Sequence, residues 1–300
     1  MNVFRRIARI EHSLKAFVQK QLYHNRIAAY LRSGRRPWSI GYGDYKGQYL
    51  RDVLSNDNLM KTFREGNPLP AGYGFRLDER TVEIPWALAR LSNQAGRLLD
   101  AGSSLNHEFV LKSPALANMK TTILTLAPEG VAYWNLGVSY MFGDLRNLDF
   151  RDEWFDAISC ISTVEHVGMD NSMHAGSAAV AKPGNPNEFL IAIGELRRVL
   201  KSSGVLYITF PFGQYQNFGW FQQFHSQLLD LLVDRFDPRN VTETIFRYDS
   251  DGWKLSNRSL CSQCQYPREA IDLFEGKSIA AYPPNAPAGA AAVACLELKK

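Results

Sequence analysis

Five short apolar runs between residues 96 and 213 constrain the fold of this chain more than any other feature. Each is apolar or β-branched and is bounded by Gly, Pro or Asp, as is typical of strands buried on both faces. The runs lie in GRLLDAG, KTTILTLAPEG, VSYMFGDL, WFDAISCISTVEHVG and GVLYITFPFG. Helical patterns cover residues 78–94, 187–204 and 224–236, and two final strands begin near residues 241 and 291. This alternation predicts an α/β fold with a mostly parallel sheet and right-handed crossovers.

The composition and charge exclude several classes of protein. Apolar residues make up 45% of the chain, which is ample for a packed core. Four cysteines are too few for a disulfide framework, and the CSQC pair supplies only two of the four ligands of a zinc site, so we expect no metal. The first 36 residues hold nine Lys or Arg and one acid, so the remainder of this +4 chain is mildly acidic. That distribution argues against nucleic-acid binding and, without an apparent leader or spanning segment, predicts a cytoplasmic protein.

An amphipathic pattern marks the N-terminus. Residues 3–31 have helical periodicity, with Arg and Lys opposite an apolar stripe. Such a helix packs on its own domain or on a second subunit as a homodimer, or it lies peripherally on an anionic membrane. Residues 33–75 are rich in Gly, Pro and aromatics, which predicts an irregular or partly helical lead-in that closes over a pocket. We therefore divide the chain into an extension, residues 1–77, and a main domain, residues 78–300.

The stretch LLDAGSSLN places an acid and several small residues at the end of the first predicted strand. Asp100 ends the strand, and Gly102, Ser103 and Ser104 form the following turn. In an open α/β sheet, ligands bind outside the carboxyl ends of the strands, where the N–H groups of a turn can bind polar groups. Taken alone, the stretch is also compatible with an ordinary tight turn.

Five segments, in this order, resemble the motifs of class I S-adenosylmethionine-dependent methyltransferases over about residues 80–300. LLDAGSSLN resembles the acid and glycine-rich loop after strand one, and FGDLRNLDF resembles the motif after strand three. FDAISCISTVEHV resembles strand four with its Glu-His ending. LRRVLKSSGVLYITFPFG resembles the helix and strand five, and the last two predicted strands resemble the closing hairpin. The resemblance implies a Rossmann-like, seven-stranded, mostly parallel sheet with a C-terminal antiparallel strand pair, here preceded by an N-terminal helical extension. It also implies S-adenosyl-L-methionine as cofactor.

The resemblance assigns roles to residues after strands two, three and four. Asp144 matches the acid that accepts a hydrogen bond from the adenine amino group, and the N–H of Leu145 would meet the neighbouring ring nitrogen. Ser162 would lie near the transferred methyl group. The family's ribose-binding acid after strand two is missing here or is Glu129, displaced by several residues; a solvated turn residue is the alternative for Glu129.

The methionine end of the cofactor matches the turn after strand one, at Asp100, Gly102 and Ser103. Here the sequence departs from the family, because Ser104 and Asn106 stand where a second and third glycine are usual. Their side chains would hydrogen-bond the cofactor or narrow its slot.

Methyl transfer to a hydroxyl requires a base within hydrogen-bond reach of that hydroxyl. His166 is the best candidate, because imidazole titrates near neutrality and the motif puts it at the end of strand four. Glu165 would orient His166 or contact the cofactor side of the pocket. A structural role beneath the loop is the alternative for His166, and His174, Asp170 and His225 are weaker candidates for the base.

The segment PFGQYQNFGWFQQFH, after strand five, suits a sugar or another polyhydroxylated acceptor, although it could form a small hydrophobic core instead. Residues 80–104 are also similar to bacterial methyltransferases of surface-polysaccharide pathways. We therefore expect O-methylation of a small or saccharide-like molecule. The alternatives are a lipid or quinone acceptor at the membrane surface and a catalytically inactive binding or scaffold module of the same fold. A nicotinamide-dependent oxidoreductase is disfavoured because no GxGxxG follows strand one.

Overall fold

A computed structural model describes residues 2–175 and 183–300, with side chains from residue 17 onward except that of His174. The helices are α1 Asn2–Arg32, α2 Tyr42–Leu54, α3 Asp57–Glu65, α4 Arg80–Leu91, α5 Glu108–Leu111, α6 Ser172–Ala175, α7 Phe189–Val199, α8 Ser226–Phe236, α9 Arg258–Cys261 and α10 Arg268–Phe274. The strands are β1 Gly96–Ala101, β2 Met119–Thr125, β3 Ser139–Phe142, β4 Phe155–Ile161, β5 Leu200–Pro211, β6 Gln216–Asn217, β7 Gln222–Gln223, β8 Asn240–Asp249, β9 Gly252–Ser256 and β10 Ala292–Lys299. The part of the predicted apolar stripe that precedes residue 17 lies outside the described side chains.

Within the described residues, eight strands form one sheet in the order β3–β2–β1–β4–β5–β10–β8–β9. Strands β1 to β5 are parallel, and β10 runs antiparallel to both β5 and β8. The predicted fold class is confirmed. The strand added to the expected seven is β9, which pairs antiparallel with β8 at the edge of the sheet. It is short and partly exposed, so it lacks the continuous apolar run by which the other strands are predicted.

The strand order reverses between β1 and β4, and this reversal positions the candidate site. From β1 the chain continues outward to β2 and β3 on one side, and then returns to β4 and β5 on the other. Asp100, near the end of β1, lies opposite Ser159 of β4. In sheets of this kind the ligand crevice lies outside the carboxyl ends of the strands at such a reversal.

Both faces of the sheet are buried, which explains the continuous apolar runs. Leu99 faces a core that includes Phe189 of α7, whereas the adjacent Leu98 faces a second core with Trp86 of α4. The second core continues into the lead-in through Leu50 of α2. The lead-in is thus partly helical and packs on the sheet domain. The boundary between residues 77 and 78 stays a prediction, and the core crosses it.

Helix α4 carries two charged side chains over the strand ends, Arg80 and Glu83, despite a proline in its interior. Pro85 has no N–H to donate to the carbonyl of Thr81, four residues earlier. The hydroxyl of Tyr73, in the lead-in, donates to that carbonyl at 2.6 Å. The lead-in therefore satisfies the backbone group that the proline leaves unpaired.

Candidate functional site

Three cavities meet at the carboxyl ends of β1 and β4. The strand-end cavity is lined chiefly by Gly102, Leu124, Gly143, Asp144, Leu145, Arg146, Thr163 and His166. The aromatic cavity, of about 360 Å³, is lined chiefly by Trp38, Trp220, Phe221, Tyr266 and Phe274 and by the ionisable Lys46, Asp78, Glu79, Arg80, Glu165 and His166. The loop cavity lies between α2 and the turn after β1 and is lined by Gly102, Ser103, Ser104, Lys46, Arg51 and Arg80, among others.

Shared lining residues make these three cavities neighbours. His166 lines both the strand-end and the aromatic cavity. Gly102 lines the strand-end and loop cavities, and Lys46 and Arg80 line the loop and aromatic cavities. Ligands in the strand-end and aromatic cavities would therefore both lie beside His166.

Asp100 holds the turn after β1 in place through hydrogen bonds of its side chain. Its carboxylate is fully buried and accepts hydrogen bonds from the N–H of Leu105 at 2.8 Å and from the hydroxyl of Ser159 at 3.0 Å. Burial raises the pKa of Asp100 to about 7, although these two hydrogen bonds act to lower it. Among the described residues, both carboxylate oxygens are thus used to hold the turn against β4.

Gly102 allows the backbone of this turn to approach β4 closely. Its φ of 112° is one that side chains disfavour, and a Cβ at this position would overlap the side chain of Thr163. A residue larger than glycine therefore does not fit at this position unless Thr163 moves.

The two serines of the turn have different surroundings. The hydroxyl of Ser104 donates to the carbonyl of Ile161 at 2.6 Å and so ties the turn to the end of β4. Ser103 has a φ of 65°, and its hydroxyl oxygen is buried without a hydrogen-bond partner among the described residues. Since buried hydroxyls are normally hydrogen-bonded, Ser103 is the turn residue best placed to receive a polar ligand group.

Glu129 lies beside the turn although it follows β2 by several residues. The side-chain amide of Asn106 donates to its carboxylate at 2.9 Å and to the carbonyl of Val131 at 3.2 Å. The Asn106 oxygen in turn accepts from the hydroxyl of Tyr140 at 2.8 Å. Asn106, which stands where the resembled family usually has a glycine, thus holds the carboxylate of Glu129.

Asp144 is held by the residue two positions later. The N–H of Arg146 donates to its carboxylate at 2.8 Å and the Nε at 3.0 Å, and the guanidinium also pairs with Glu188. Burial acts to raise the pKa of Asp144, but the Arg146 hydrogen bonds outweigh it and hold that pKa below its usual value. Leu145 is buried and lines the strand-end cavity beside this pair.

Ser162 is fixed from α4 and β5. Its hydroxyl donates to Glu83 at 2.6 Å, and its N–H donates to the carbonyl of Thr209 at 3.0 Å. Glu83 is fully buried, also accepts from the hydroxyl of Thr209 at 2.7 Å, and pairs with Arg80 at 2.6 Å. Ser162 has a φ of 37° and lines the aromatic cavity rather than the strand-end cavity.

His166 follows Ser162 in a short 3₁₀ turn, Val164–His166. Its Nδ1 lies 2.9 Å from the carbonyl oxygen of Trp220. The ring centroid lies 5.5 Å from that of Trp220 and 5.8 Å from that of Phe221, in tilted contacts. The imidazole is therefore oriented by the chain after β5, at the junction of two cavities.

Glu165 is almost completely buried, and its Oε2 has no hydrogen-bond partner among the described residues. Burial raises the pKa of Glu165 well above its usual value, against the nearby charge of Arg80. Its side chain lines the aromatic cavity. Glu79, on the same wall, has a pKa raised to about 7, first by burial and then by the neighbouring charge of Asp78.

The weaker candidates for the base are His225, Asp170 and His174. The Nδ1 of His225 is buried without a partner among the described residues, and Asp170 caps the following turn through the N–H of Ser172. The side chain of His174 lies outside the described part of the chain. Neither His225 nor Asp170 lines the aromatic or the strand-end cavity. Of the aromatic segment after β5, Trp220 and Phe221 line the aromatic cavity.

Several residues of the site were missed by sequence reasoning. Lys46 and Trp38 come from the lead-in, Asp78 and Arg80 precede or begin α4, and Glu83 lies on its buried face. The expectation that the lead-in closes over a pocket was the one signal that pointed to them. Their individual roles depend on how α2 and α4 pack over the strand ends.

Among the side chains that the structure describes, no group of three or more His, Cys, Asp or Glu is arranged to hold a metal ion. Across the described part of the chain, no helix combines the length and the apolar character needed to cross a membrane.

A family model matches part of this chain. Residues 113–208, which span β2 to β5, match the family described as "Methyltransferase domain". A search of curated proteins gives no significant match. The chain therefore carries a methyltransferase domain, whose cofactor is S-adenosyl-L-methionine.

Solved structures similar to this chain include the following three. The 1,6-didemethyltoxoflavin-N1-methyltransferase of Burkholderia thailandensis, with S-adenosylhomocysteine bound, has 14% identity and a TM-score of 0.42 over 85% of this chain and 89% of its own. A SAM-dependent methyltransferase of Thermotoga maritima has 14% identity and a TM-score of 0.42 over 84% and 99%. One of Archaeoglobus fulgidus has 12% identity and a TM-score of 0.43 over 72% and 94%.

Proposed function

We propose that this S-adenosylmethionine-dependent methyltransferase methylates a hydroxyl of a small, saccharide-like acceptor, with His166 as the general base. The observation that carries the proposal is the position of His166, which lines both the strand-end and the aromatic cavity. A base at that junction can reach an acceptor hydroxyl in one cavity when the methyl donor lies in the other.

We assign the cofactor to the strand-end and loop cavities together. The turn at Gly102 and the unpartnered hydroxyl of Ser103 would receive the methionine end. Arg51 lines the same loop cavity and would supply positive charge for its carboxylate. When bound, the cofactor supplies a methyl group activated by a positively charged sulfur.

The adenosine end is assigned to the strand-end cavity. There the carboxylate of Asp144 would accept from the adenine amino group while Arg146 keeps it ionised, and Leu145 would offer its N–H. Glu129 is the candidate for the ribose hydroxyls, because Asn106 already holds its carboxylate beside the turn. Asp100 and Ser104 would hold the turn after β1 in place, through hydrogen bonds with the N–H of Leu105 and the carbonyl of Ile161, respectively.

The environment of His166 fixes which nitrogen acts as the base. A carbonyl oxygen only accepts hydrogen bonds, so the contact with Trp220 assigns the proton of the neutral ring to Nδ1. Nε2 is then the nitrogen with a lone pair, which would take the proton of the acceptor hydroxyl. Glu165 lines the aromatic cavity beside it, and we assign it to the cavity wall rather than to a second base.

The test is transfer of radioactive methyl from S-adenosylmethionine to a panel of nucleotide sugars and free sugars. We expect one sugar to be methylated by the full-length protein, and His166→Gln to lower kcat by about 10²–10⁴-fold, the usual worth of a general base. Its affinity for S-adenosylhomocysteine, measured by calorimetry, should change little.

The cofactor residues are tested in the same assay. Asp144→Ala should weaken S-adenosylhomocysteine binding by about ten-fold or more, as expected for a lost hydrogen bond to a charged group, whereas the exposed Asp152→Ala serves as the matched control. If the folded wild type binds no S-adenosylhomocysteine, the proposal of an enzyme is contradicted and the inactive binding module is favoured. An unchanged kcat in His166→Gln would show that His166 is not the general base.

Exposed apolar side chains on α1 favour a second candidate, a lipid or quinone acceptor at a membrane surface. Phe17 is 60% and Leu22 is 45% exposed on this basic helix. Liposome co-sedimentation of the full chain and of Phe17→Glu/Leu22→Glu tests this candidate. Sedimentation that depends on anionic lipid and is lost in the variant would support it. A concentration-dependent dimer lost in the variant would instead assign this helix face to a second copy of the chain.

A further inference from the structure

Among the described residues, carboxyl groups outnumber cations around the aromatic cavity. The Nζ of Lys46 pairs with Asp78 at 2.6 Å, and Arg80 pairs with Glu83 at 2.6 Å. Each of these two cations that line the cavity thus already has a carboxylate partner. Two further carboxyl groups, of Glu79 and Glu165, line the same wall without an ion pair to a described cation.

The two additional carboxyl groups are buried, and one of them is incompletely bonded. Glu79 is 8% exposed and accepts a hydrogen bond from the N–H of Ala290 at 2.8 Å. Glu165 is 2% exposed, and its Oε2 has no partner among the described residues. Burial and the neighbouring carboxylates of Glu83 and Glu79 favour the protonated form of Glu165, while Arg80 opposes it. An unpartnered buried carboxyl oxygen in a cavity wall is expected to have a ligand group as its partner.

The rest of the wall is aromatic. Trp220 meets Phe274 edge to face at 5.8 Å between ring centroids, and Phe221 meets Tyr266 in the same way at 5.1 Å. Lys46 lies 5.6 Å from the centroid of the Trp38 ring, so the cavity already holds one cation over an aromatic face. Aromatic rings together with carboxyl groups are the surroundings in which proteins bind ammonium groups.

We propose that the acceptor carries a protonated amino group near the hydroxyl that is methylated, and that Glu165, with Glu79 behind it, binds this ammonium in the aromatic cavity. The proposal rests on the proposed function for assigning this cavity to the acceptor. A bound ammonium group would favour the ionised form of Glu165, with the proton released to solvent, and would donate a hydrogen bond to its Oε2. An anionic acceptor, by contrast, would meet two additional carboxyl groups while both cations are already paired.

A matched pair of probes tests the preference for charge. Phenethylammonium and 2-phenylethanol share an aromatic ring and differ chiefly in charge. Each is titrated at about pH 8 into the full-length protein, with and without S-adenosylhomocysteine. We expect the wild type to bind the ammonium at least about ten-fold more tightly than the alcohol, the equivalent of one favourable cation contact.

Three variants assign the preference to its residues. Glu165→Gln should reduce the ammonium preference to less than about three-fold, with the affinity for the alcohol nearly unchanged, because a Gln side chain keeps the shape and loses the charge. Glu79→Gln should reduce the preference partly, and it keeps the test available if Glu165→Gln does not fold. Glu108→Gln, an exposed α5 residue paired with Lys112, is the control and should behave as wild type.

Each outcome decides the proposal. Equal affinities, tighter binding of the alcohol, no binding of either probe, or a preference that survives both Glu165→Gln and Glu79→Gln would overturn it. Binding of S-adenosylhomocysteine is measured on the same samples. If the wild type does not bind S-adenosylhomocysteine, the proposed function is contradicted, and the ammonium preference stands as a separate result.

Discussion

The Nδ1 of His166 and the main-chain oxygen of Trp220 lie 2.9 Å apart. This contact joins the turn after β4 to the chain after β5, and it sets both the orientation and the tautomer of the imidazole. A main-chain partner cannot be removed by substitution and does not change charge with pH. This acceptor is therefore available to the ring at every pH at which the fold persists.

The first prediction is that the neutral ring of His166 carries its proton on Nδ1. Long-range ¹H–¹⁵N spectra of the labelled protein should give an Nδ1 shift typical of a protonated nitrogen and an Nε2 shift typical of an unprotonated one, because the carbonyl of Trp220 can only accept. His166→Gln identifies the signal by its disappearance. A neutral ring with its proton on Nε2 would contradict the proposed base.

The second prediction concerns Gly102→Ala. The new Cβ would overlap Thr163, and the φ of 112° would be strained, so we expect a loss of about 1–3 kcal/mol in unfolding free energy and a strong loss of S-adenosylhomocysteine binding. Adding Thr163→Ala should restore part of the stability, since it removes the overlap with Oγ1 and Cγ2 but leaves the residue-163 Cβ 2.7 Å from the new Cβ and the φ strained. Gly130→Ala, where an added Cβ meets nothing within 4 Å, is the control. Equal effects at the two glycines would refute the steric argument.

The third prediction is a pH dependence of stability that comes from Asp100. Its pKa is about 7 in the folded protein, above the ordinary value of an unfolded chain, so the folded state keeps a proton that the unfolded state has lost. Asp100 therefore lowers stability as the pH rises from about 4 to about 7, and its contribution is constant above that range.

Asp100→Asn should remove this contribution. Between about pH 4.5 and 7.5 the unfolding free energy of the variant, relative to wild type, should rise by about 3 kcal/mol. Chemical denaturation at the two pH values measures this difference. An offset between variant and wild type that is the same at both pH values would mean that Asp100 is ionised in the fold.

The fourth prediction compares two substitutions at one hydrogen-bond cluster. Glu83→Ala leaves the guanidinium of Arg80 without its partner, and we expect it to cost about 3–5 kcal/mol. Ser162→Ala removes one hydrogen bond to the same carboxylate and should cost about 1–2 kcal/mol. Thermal and chemical unfolding of both variants provide the comparison. A smaller cost for Glu83→Ala than for Ser162→Ala would show that the ion pair does not stabilise the site.

Much of the sheet could be predicted from the sequence because its strands are buried on both faces. Leu98 and Leu99 face opposite cores, so the run that contains them is continuously apolar. Asp100 and Gly102 could be singled out for a similar reason, since an acid and a glycine at a strand end are a local signal. The strand β9, on the edge, gives no such signal.

The aromatic cavity could not be predicted in the same way. Glu83 and Arg80 lie on a helix whose pattern shows only that one face is buried, and the packing of α4 decides that this face covers Ser162. Lys46 and Asp78 are 32 residues apart in sequence and meet only in the fold. Likewise, Asn106 is a departure from a glycine pattern in the sequence, and its contact with Glu129 emerges only from the path of the chain after β2.

The two sides of His166 have different origins. The strand-end cavity is built at the ends of the parallel strands, whereas the aromatic cavity takes Trp38 from the lead-in, Phe221 from the segment after β5, and Phe274 from the end of α10. These three segments lie outside the parallel strands. If the aromatic cavity receives the acceptor, as proposed, substitutions at Trp38, Phe221 and Phe274 would change which acceptor is bound and would leave the lining of the strand-end cavity unchanged.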